Sequence, residues 1–185
     1  MLVFLTGYMY SGKTTVARQL SERLAENHGF DTRWTDTDQE VENRYHVTVS
    51  DCFRRYGEAM FRKLETDVLR SISAQQGRSV TIVATGGGTP CHDRNMQWMR
   101  DHGLTVYLKL PVGETLARMA VSRKPRPTII ALKPAEREAF VRGQVAVREP
   151  VYEQAHLTID ASNPDIDALA DAVVAHYNAL HSDCL

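Results

Sequence analysis

At 185 residues the chain is long for one small domain and short for two, which suits a single α/β domain, 1–185, carrying an insertion. Its 22 Lys and Arg nearly balance 23 Asp and Glu without any long run of one sign, so the charge pattern gives no footprint for nucleic acid or a membrane surface. Cys52, Cys91 and Cys184 are widely spaced, odd in number and lack a C-x-x-C pair, which argues against a disulfide framework and a zinc site and for a reducing compartment. Residues 1–5 are too short and too poor in basic residues for a signal peptide, and no stretch has the length of a membrane span. The expectation is a cytoplasmic protein with small-molecule partners.

Residues 2–6 form an apolar run that reads as a buried strand and leads directly into Gly7-Tyr8-Met9-Tyr10-Ser11-Gly12-Lys13-Thr14. This is a complete G-x-x-x-x-G-K-T phosphate loop, and Val16, Ala17, Leu20 and Leu24 continue it as the apolar stripe of a helix. Such a loop points successive N–H groups at phosphate oxygens. It sends Lys13, expected as an exposed side chain, to the β- and γ-phosphates and places the Thr14 hydroxyl on a metal ion. The ligand class is a nucleoside triphosphate with Mg2+.

A second strand, at 32–35, runs into Asp36-Thr37-Asp38. Positions two apart in a strand extension face one side, so both acids can serve one cleft, one toward a metal-bound water and one toward a substrate hydroxyl. Taken alone, D-x-D reads equally as the start of a helix, where Asp caps. Residues 36–75 contain no strand pattern and read as a helical, substrate-binding insertion. Within it Arg62 and Glu65 stand three apart, either as a surface pair or as an arginine held by a glutamate and aimed at an anion.

The third strand, 80–84, ends in Gly86-Gly87-Gly88, where the missing side chains favour close approach of a ligand to the backbone. A fourth strand is expected at 105–110. Residues 119–131 are rich in Arg, Lys and Pro with little apolar periodicity, and are read as a lid carrying Arg126. A long polar helix begins near Pro134 and ends in Arg148-Glu149-Pro150-Val151-Tyr152. After a fifth strand at 157–160, Asn163 as cap and Pro164 at the first helical position open a last helix, with Ile166, Leu169, Val173, Tyr177 and Leu180 on one face. The seven histidines are scattered without ligand spacing and read as structural or solvated. Strands alternating with helices predict a parallel sheet covered on both faces.

Taken in order, G-x-x-x-x-G-K-T-T, T-D-T-D, F-R-x-x-E, G-G-G, R-P and R-x-P-x-Y resemble the shikimate kinase family across nearly the whole chain. The resemblance implies a three-layer α/β/α fold with a five-stranded parallel sheet in order 2-3-1-4-5. It also implies transfer of the γ-phosphate of ATP to the 3-hydroxyl of shikimate, by a monomer with neither nucleic-acid nor membrane partners. By position, the backbone of residues 7–15, with Gly7, Ser11, Gly12, Lys13, Thr14 and Thr15, is expected at the ATP phosphates. Thr14 is expected on Mg2+, which Asp36 reaches through water. Asp38 is expected to bind shikimate and act as, or position, the base, and Arg62 and Arg148 to pair with its carboxylate beside Gly86, Gly87 and Gly88. Arg126 resembles the lid arginine, Arg118 the adenine-side arginine, and Ser162, Asn163 and Pro164 the loop beside the purine. The sequence departs from the family at Tyr10, where a third glycine is usual and which is read as a tolerant position, at Thr128-Ile129 in the lid, and at Trp34. A sugar kinase such as gluconate kinase shares the loop and sheet but has no need of two arginines for a carboxylate. An ATP-binding regulatory module would keep the phosphate loop and lose the acceptor residues.

Overall fold

The computed structural model describes residues 1–73, 77–122 and 132–182. Five strands, β1 (Leu2–Thr6), β2 (Asp31–Asp36), β3 (Ser79–Ala84), β4 (Leu104–Lys109) and β5 (Leu157–Asp160), pair in parallel in the order β2-β3-β1-β4-β5. The central strand β1 is buried at every residue, and its alternating side chains enter two different cores. Val3 and Leu5 pack with Val16, Leu20 and Leu24 of α1 (Lys13–His28) and with Leu169 and Val173 of the last helix. Leu2 and Phe4 pack on the other face with Leu69, Met96 and Met99. Each fully buried Leu or Val contributes roughly 1.5–3 kcal/mol, so α1 anchors the end of the phosphate loop firmly.

The sheet order has a chemical consequence. The strand order reverses beside β1, and the carboxyl ends of β1, β2 and β3 open onto one crevice, where α/β sheets bind ligands. The stretch after β2 holds α2 (Thr37–Tyr45) and α3 (Val49–Ser71), which pack around Val41, Cys52, Phe61 and Val68. A break at Gly57, φ 78° and ψ 172°, divides α3. Then come α4 (Asn95–His102), α5 (Val112–Val121), α6 (Pro134–Tyr152) and α7 (Ile166–Ser182). Among the described residues no helix is long and apolar enough to cross a membrane.

Four expectations change in detail. The fourth strand is Leu104–Lys109, so Leu110 lies beyond it. The last helix starts at Ile166, because the Asp165 carboxylate accepts from the Ala168 amide at 2.9 Å and takes the capping position expected of Asn163; Pro164 then precedes the helix. Leu169, Val173 and Tyr177 are buried as expected, while Leu180 is exposed, one turn beyond the end of the sheet core. Of the expected lid, Met119 to Val121 finish α5, and residues 123–131, including Arg126, lie outside the described residues.

Candidate active site

The phosphate loop turns at Gly7, where φ is +136° and an added Cβ would stand 2.7 Å from the Leu108 carbonyl oxygen, so only glycine fits. Lys13 is not the exposed side chain the motif suggests. It is buried, and its Nζ donates to the carbonyl oxygens of Gly7 and Tyr8, each at 2.9 Å. The ammonium thus sits in the hollow of the loop, neutralised in part by peptide dipoles. Ser11 is buried beneath it, with Oγ 3.4 Å from Nζ, while Thr14 and Thr15 face outward in the first turn of α1.

Tyr10 occupies the loop with φ +66°, a left-handed conformation in which the family's usual glycine is unstrained. The position is therefore not indifferent to residue type. Its strain, of about 1–2 kcal/mol, is carried by the packing of β1 and α1 on either side. Replacing Tyr10 with glycine relieves that strain but loosens the unfolded chain by about 0.5–1 kcal/mol. The expected net result is a melting temperature raised by about 1–3 °C. A lowered melting temperature would show that contacts of the ring outweigh the backbone.

The capping reading of D-x-D holds at Asp36, and the expected strand alternation of the two acids does not. Asp36 is the N-cap of α2, its Oδ1 accepting from the Asp38 amide at 3.0 Å, and its Oδ2 accepts from the Thr14 hydroxyl at 2.6 Å. It is the helix turn, not strand alternation, that parts the two acids. Asp38 leaves the strand and faces the glycine turn, where a side chain on Gly86 would run into Asp38 Oδ1 and Glu65 Oε1. The buried Thr37 between them accepts from the Gly86 amide at 2.9 Å, tying the end of β2 to the turn after β3.

Arg62 and Glu65 form no surface pair. Glu65 is 1% exposed, accepts from Arg62 Nη1 at 2.7 Å and receives the Thr89 hydroxyl on its other oxygen. Burial pushes its carboxyl above the ordinary range, against the pull of Arg62 and Thr89. A Cβ on Gly88 would stand 2.5 Å from Arg62 Cζ, so the backbone lies against the guanidinium and leaves its edges for bonding. The Nε–Nη2 edge of Arg62, a residue expected from the sequence to meet a substrate carboxylate, is taken by Glu58, at 3.2 and 2.8 Å.

Arg148 stands with Cζ 5.7 Å from the ring centroid of Tyr8, a phosphate-loop residue. Arg148 bonds the Tyr152 hydroxyl, which is held by the Gly87 carbonyl, and the next residue, Gly88, lies against Arg62, so the two arginines approach the glycine turn from α6 and α3. His92 is held below its ordinary range, first by burial and then by Arg62. Tyr152, one turn after Arg148, donates its hydroxyl to the Gly87 carbonyl, and Gly87 in turn backs onto the Tyr8–Met9 peptide. Tyr152 and Thr37 lie inside sequence motifs that give neither a task, and the one signal for Glu58 in the sequence is its i,i+4 spacing to Arg62.

On the other side of the loop, Arg118 of α5 donates from Nη1 to the Tyr10 carbonyl at 3.2 Å and from Nη2 to the Ala161 carbonyl at 2.7 Å. Ser162 is bound to Glu114 of α5 at 2.7 Å, and Asn163 and Pro164 continue that loop toward α7. Thus Arg118 and Ser162 are brought to the phosphate loop, away from the Arg62–Arg148 region.

A parallel sheet of this order, with a phosphate loop closing the central strand and a helical insertion after β2, defines a phosphate-loop kinase of the nucleoside-monophosphate-kinase-like class. The family model for shikimate kinase matches residues 9–178. A shikimate kinase of Parabacteroides distasonis is 34% identical over 176 residues, covering 93% of this chain and 96% of that one. The crystal structure of shikimate kinase from Bacteroides thetaiotaomicron superposes with a TM-score of 0.78 at 30% identity, over 98% of each chain. A solved structure of shikimate kinase from Acinetobacter baumannii in complex with shikimate does so with a TM-score of 0.76 at 31% identity, over 100% of this chain and 94% of that one. The chain belongs to the shikimate kinase family, and it is a kinase.

Proposed function

We propose that the protein transfers the γ-phosphoryl group of ATP to the 3-hydroxyl of shikimate, giving shikimate 3-phosphate and ADP in aromatic amino-acid biosynthesis. The observation that carries this reading is the convergence of Arg62 and Arg148 beside the Gly86–Gly88 turn, with Asp38 facing that turn and the phosphate loop behind it. A carboxylate needs charged N–H donors, and hydroxyls need an acceptor that can also take a proton. The acceptor hydroxyl gives its proton to Asp38 as its oxygen bonds to phosphorus and the bond to the β-phosphate oxygen breaks. Charge that builds on the transferring group meets the loop amides of residues 7–15 and Lys13, which exchanges its carbonyl partners for phosphate oxygens.

The residues present suit Mg2+. Thr14 and Asp36 offer a hydroxyl and a carboxylate 2.6 Å apart, hard oxygen donors that leave most of the coordination sphere to water and phosphate. Among the described residues no cluster of three His, Cys, Asp or Glu competes as a metal site. When bound, the ion would neutralise phosphate charge, with Thr14 on it directly and Asp36 through water. Arg118, Ser162, Asn163 and Pro164 are assigned to the adenine side, and Arg126 to the lid on the sequence resemblance. A cytoplasmic location accords with free Cys52 and Cys91, and the monomer is assigned on the sequence resemblance.

A coupled assay of ADP release with shikimate, against gluconate as acceptor, tests the reaction. Each arginine's contact with the substrate carboxylate is worth about 1.5–3 kcal/mol. Arg62→Ala and Arg148→Ala should each weaken shikimate binding roughly ten- to a hundredfold, with lysine restoring only part of it and ATP affinity barely moved. An unchanged KM for shikimate in both variants would overturn the acceptor assignment while leaving the kinase intact.

A further inference from the structure

The best carboxylate-gripping edge of Arg62 is already occupied by the protein itself. A guanidinium offers five N–H groups, and it grips a carboxylate best through two parallel N–H bonds along an edge. Here Nη1 goes to Glu65, while Nε and Nη2 both donate to one oxygen of Glu58, at 3.2 and 2.8 Å. Gly88 lies against the flat of the group, so an incoming carboxylate must bond at the edges.

The two glutamates are not equivalent. Glu65 is buried, and its second oxygen is held by Thr89, which makes it a permanent partner of Arg62. Glu58 has a side chain 56% exposed, and among the described residues its hydrogen bonds go to Arg62. It directly follows Gly57, where the helix is broken at φ +78° and nothing lies within 4 Å of an added Cβ. An exposed carboxylate beside an open, non-helical joint can leave its partner and be rehydrated at little cost.

We propose that Glu58 is an intramolecular competitor for the substrate carboxylate: it holds the Nε–Nη2 edge of Arg62 and is displaced when the acceptor docks. The inference rests on the acceptor reading above. Its effect on specificity is that a substrate must carry a carboxylate to repay the displaced one. An uncharged acceptor leaves Glu58 in place and finds the edge closed.

The test is steady-state kinetics of the full chain and of Glu58→Ala and Glu58→Gln, with shikimate and with a shikimate analogue lacking the carboxylate. Removing the competitor should lower the KM for shikimate by about two- to fivefold, the span of an exposed ion pair, with kcat within about twofold and ATP affinity unchanged. The KM for the analogue should not move, and in an Arg62→Ala background Glu58→Ala should have no further effect on shikimate. A KM for shikimate that rises or stays the same in both Glu58 variants, with wild-type turnover intact, overturns this proposal alone. If the wild-type chain handles the analogue as well as shikimate, the acceptor reading fails and this proposal falls with it.

Discussion

Lys13→Ala should reduce phosphoryl transfer by at least about a hundred- to a thousandfold, the cost of removing one preorganised charge from a transferring group. The structure adds a second effect. Because Lys13 is buried and bonded to the carbonyls of Gly7 and Tyr8, its loss also removes charge-assisted bonds that close the loop. Bonds of this kind are worth about 1.5–3 kcal/mol together with their context, so a melting temperature lower by several degrees is expected alongside the lost activity. The two effects separate by assay, since ATP binding and initial rates are measured well below the melting temperature. A purified variant that turned over near the wild-type rate would remove the phosphate loop from the mechanism.

Asp38→Asn should lower kcat by about a hundred- to ten-thousandfold, the range for loss of a positioned base, while ATP affinity stays nearly unchanged. The reason is its placement. Asp36, not Asp38, bonds to Thr14, where the metal is proposed, while Asp38 faces Gly86 across the crevice. The amide keeps the size of the side chain and its capacity to bind a hydroxyl, so KM for shikimate should change less than kcat. Loss of ATP binding with survival of shikimate binding would mean that the two acids have been assigned to the wrong partners.

What could be read before folding was whatever depends on near neighbours in the chain. The phosphate loop, its preceding strand and its following helix are contiguous, so the single stretch 2–24 held the ligand class, and strand periodicity held all five strands to within a residue or two. The Asp36–Asp38 pair was legible as chemistry, yet its two readings could not be parted, because a carboxylate caps a helix and serves a cleft with the same atoms. Sheet order and the roles of Arg62 and Arg148 came from resemblance rather than from the residues themselves. No local pattern states which distant strand lies alongside β1.

Burial and partnership belonged to the tertiary structure, since both depend on pieces of chain brought together from far apart. Arg62 and Glu65 have the spacing of a trivial surface pair, and only the closure of the Gly86–Gly88 turn over them makes the pair buried. The same closure gives Tyr152 its partner in Gly87 and sets Arg148 over Tyr8. Lys13 looked exposed because the motif describes its reach toward phosphate, and not the loop carbonyls that hold it meanwhile. Tyr10 looked tolerant because a motif written as x records side-chain freedom, whereas the backbone angle of +66° is imposed by the turn between two anchored elements. The sequence by itself determined the nucleotide chemistry and the strand and helix segments, which short-range periodicity and turn geometry encode; the proposed acceptor site took shape only when the sheet order brought α3, α6 and the glycine turn to one edge.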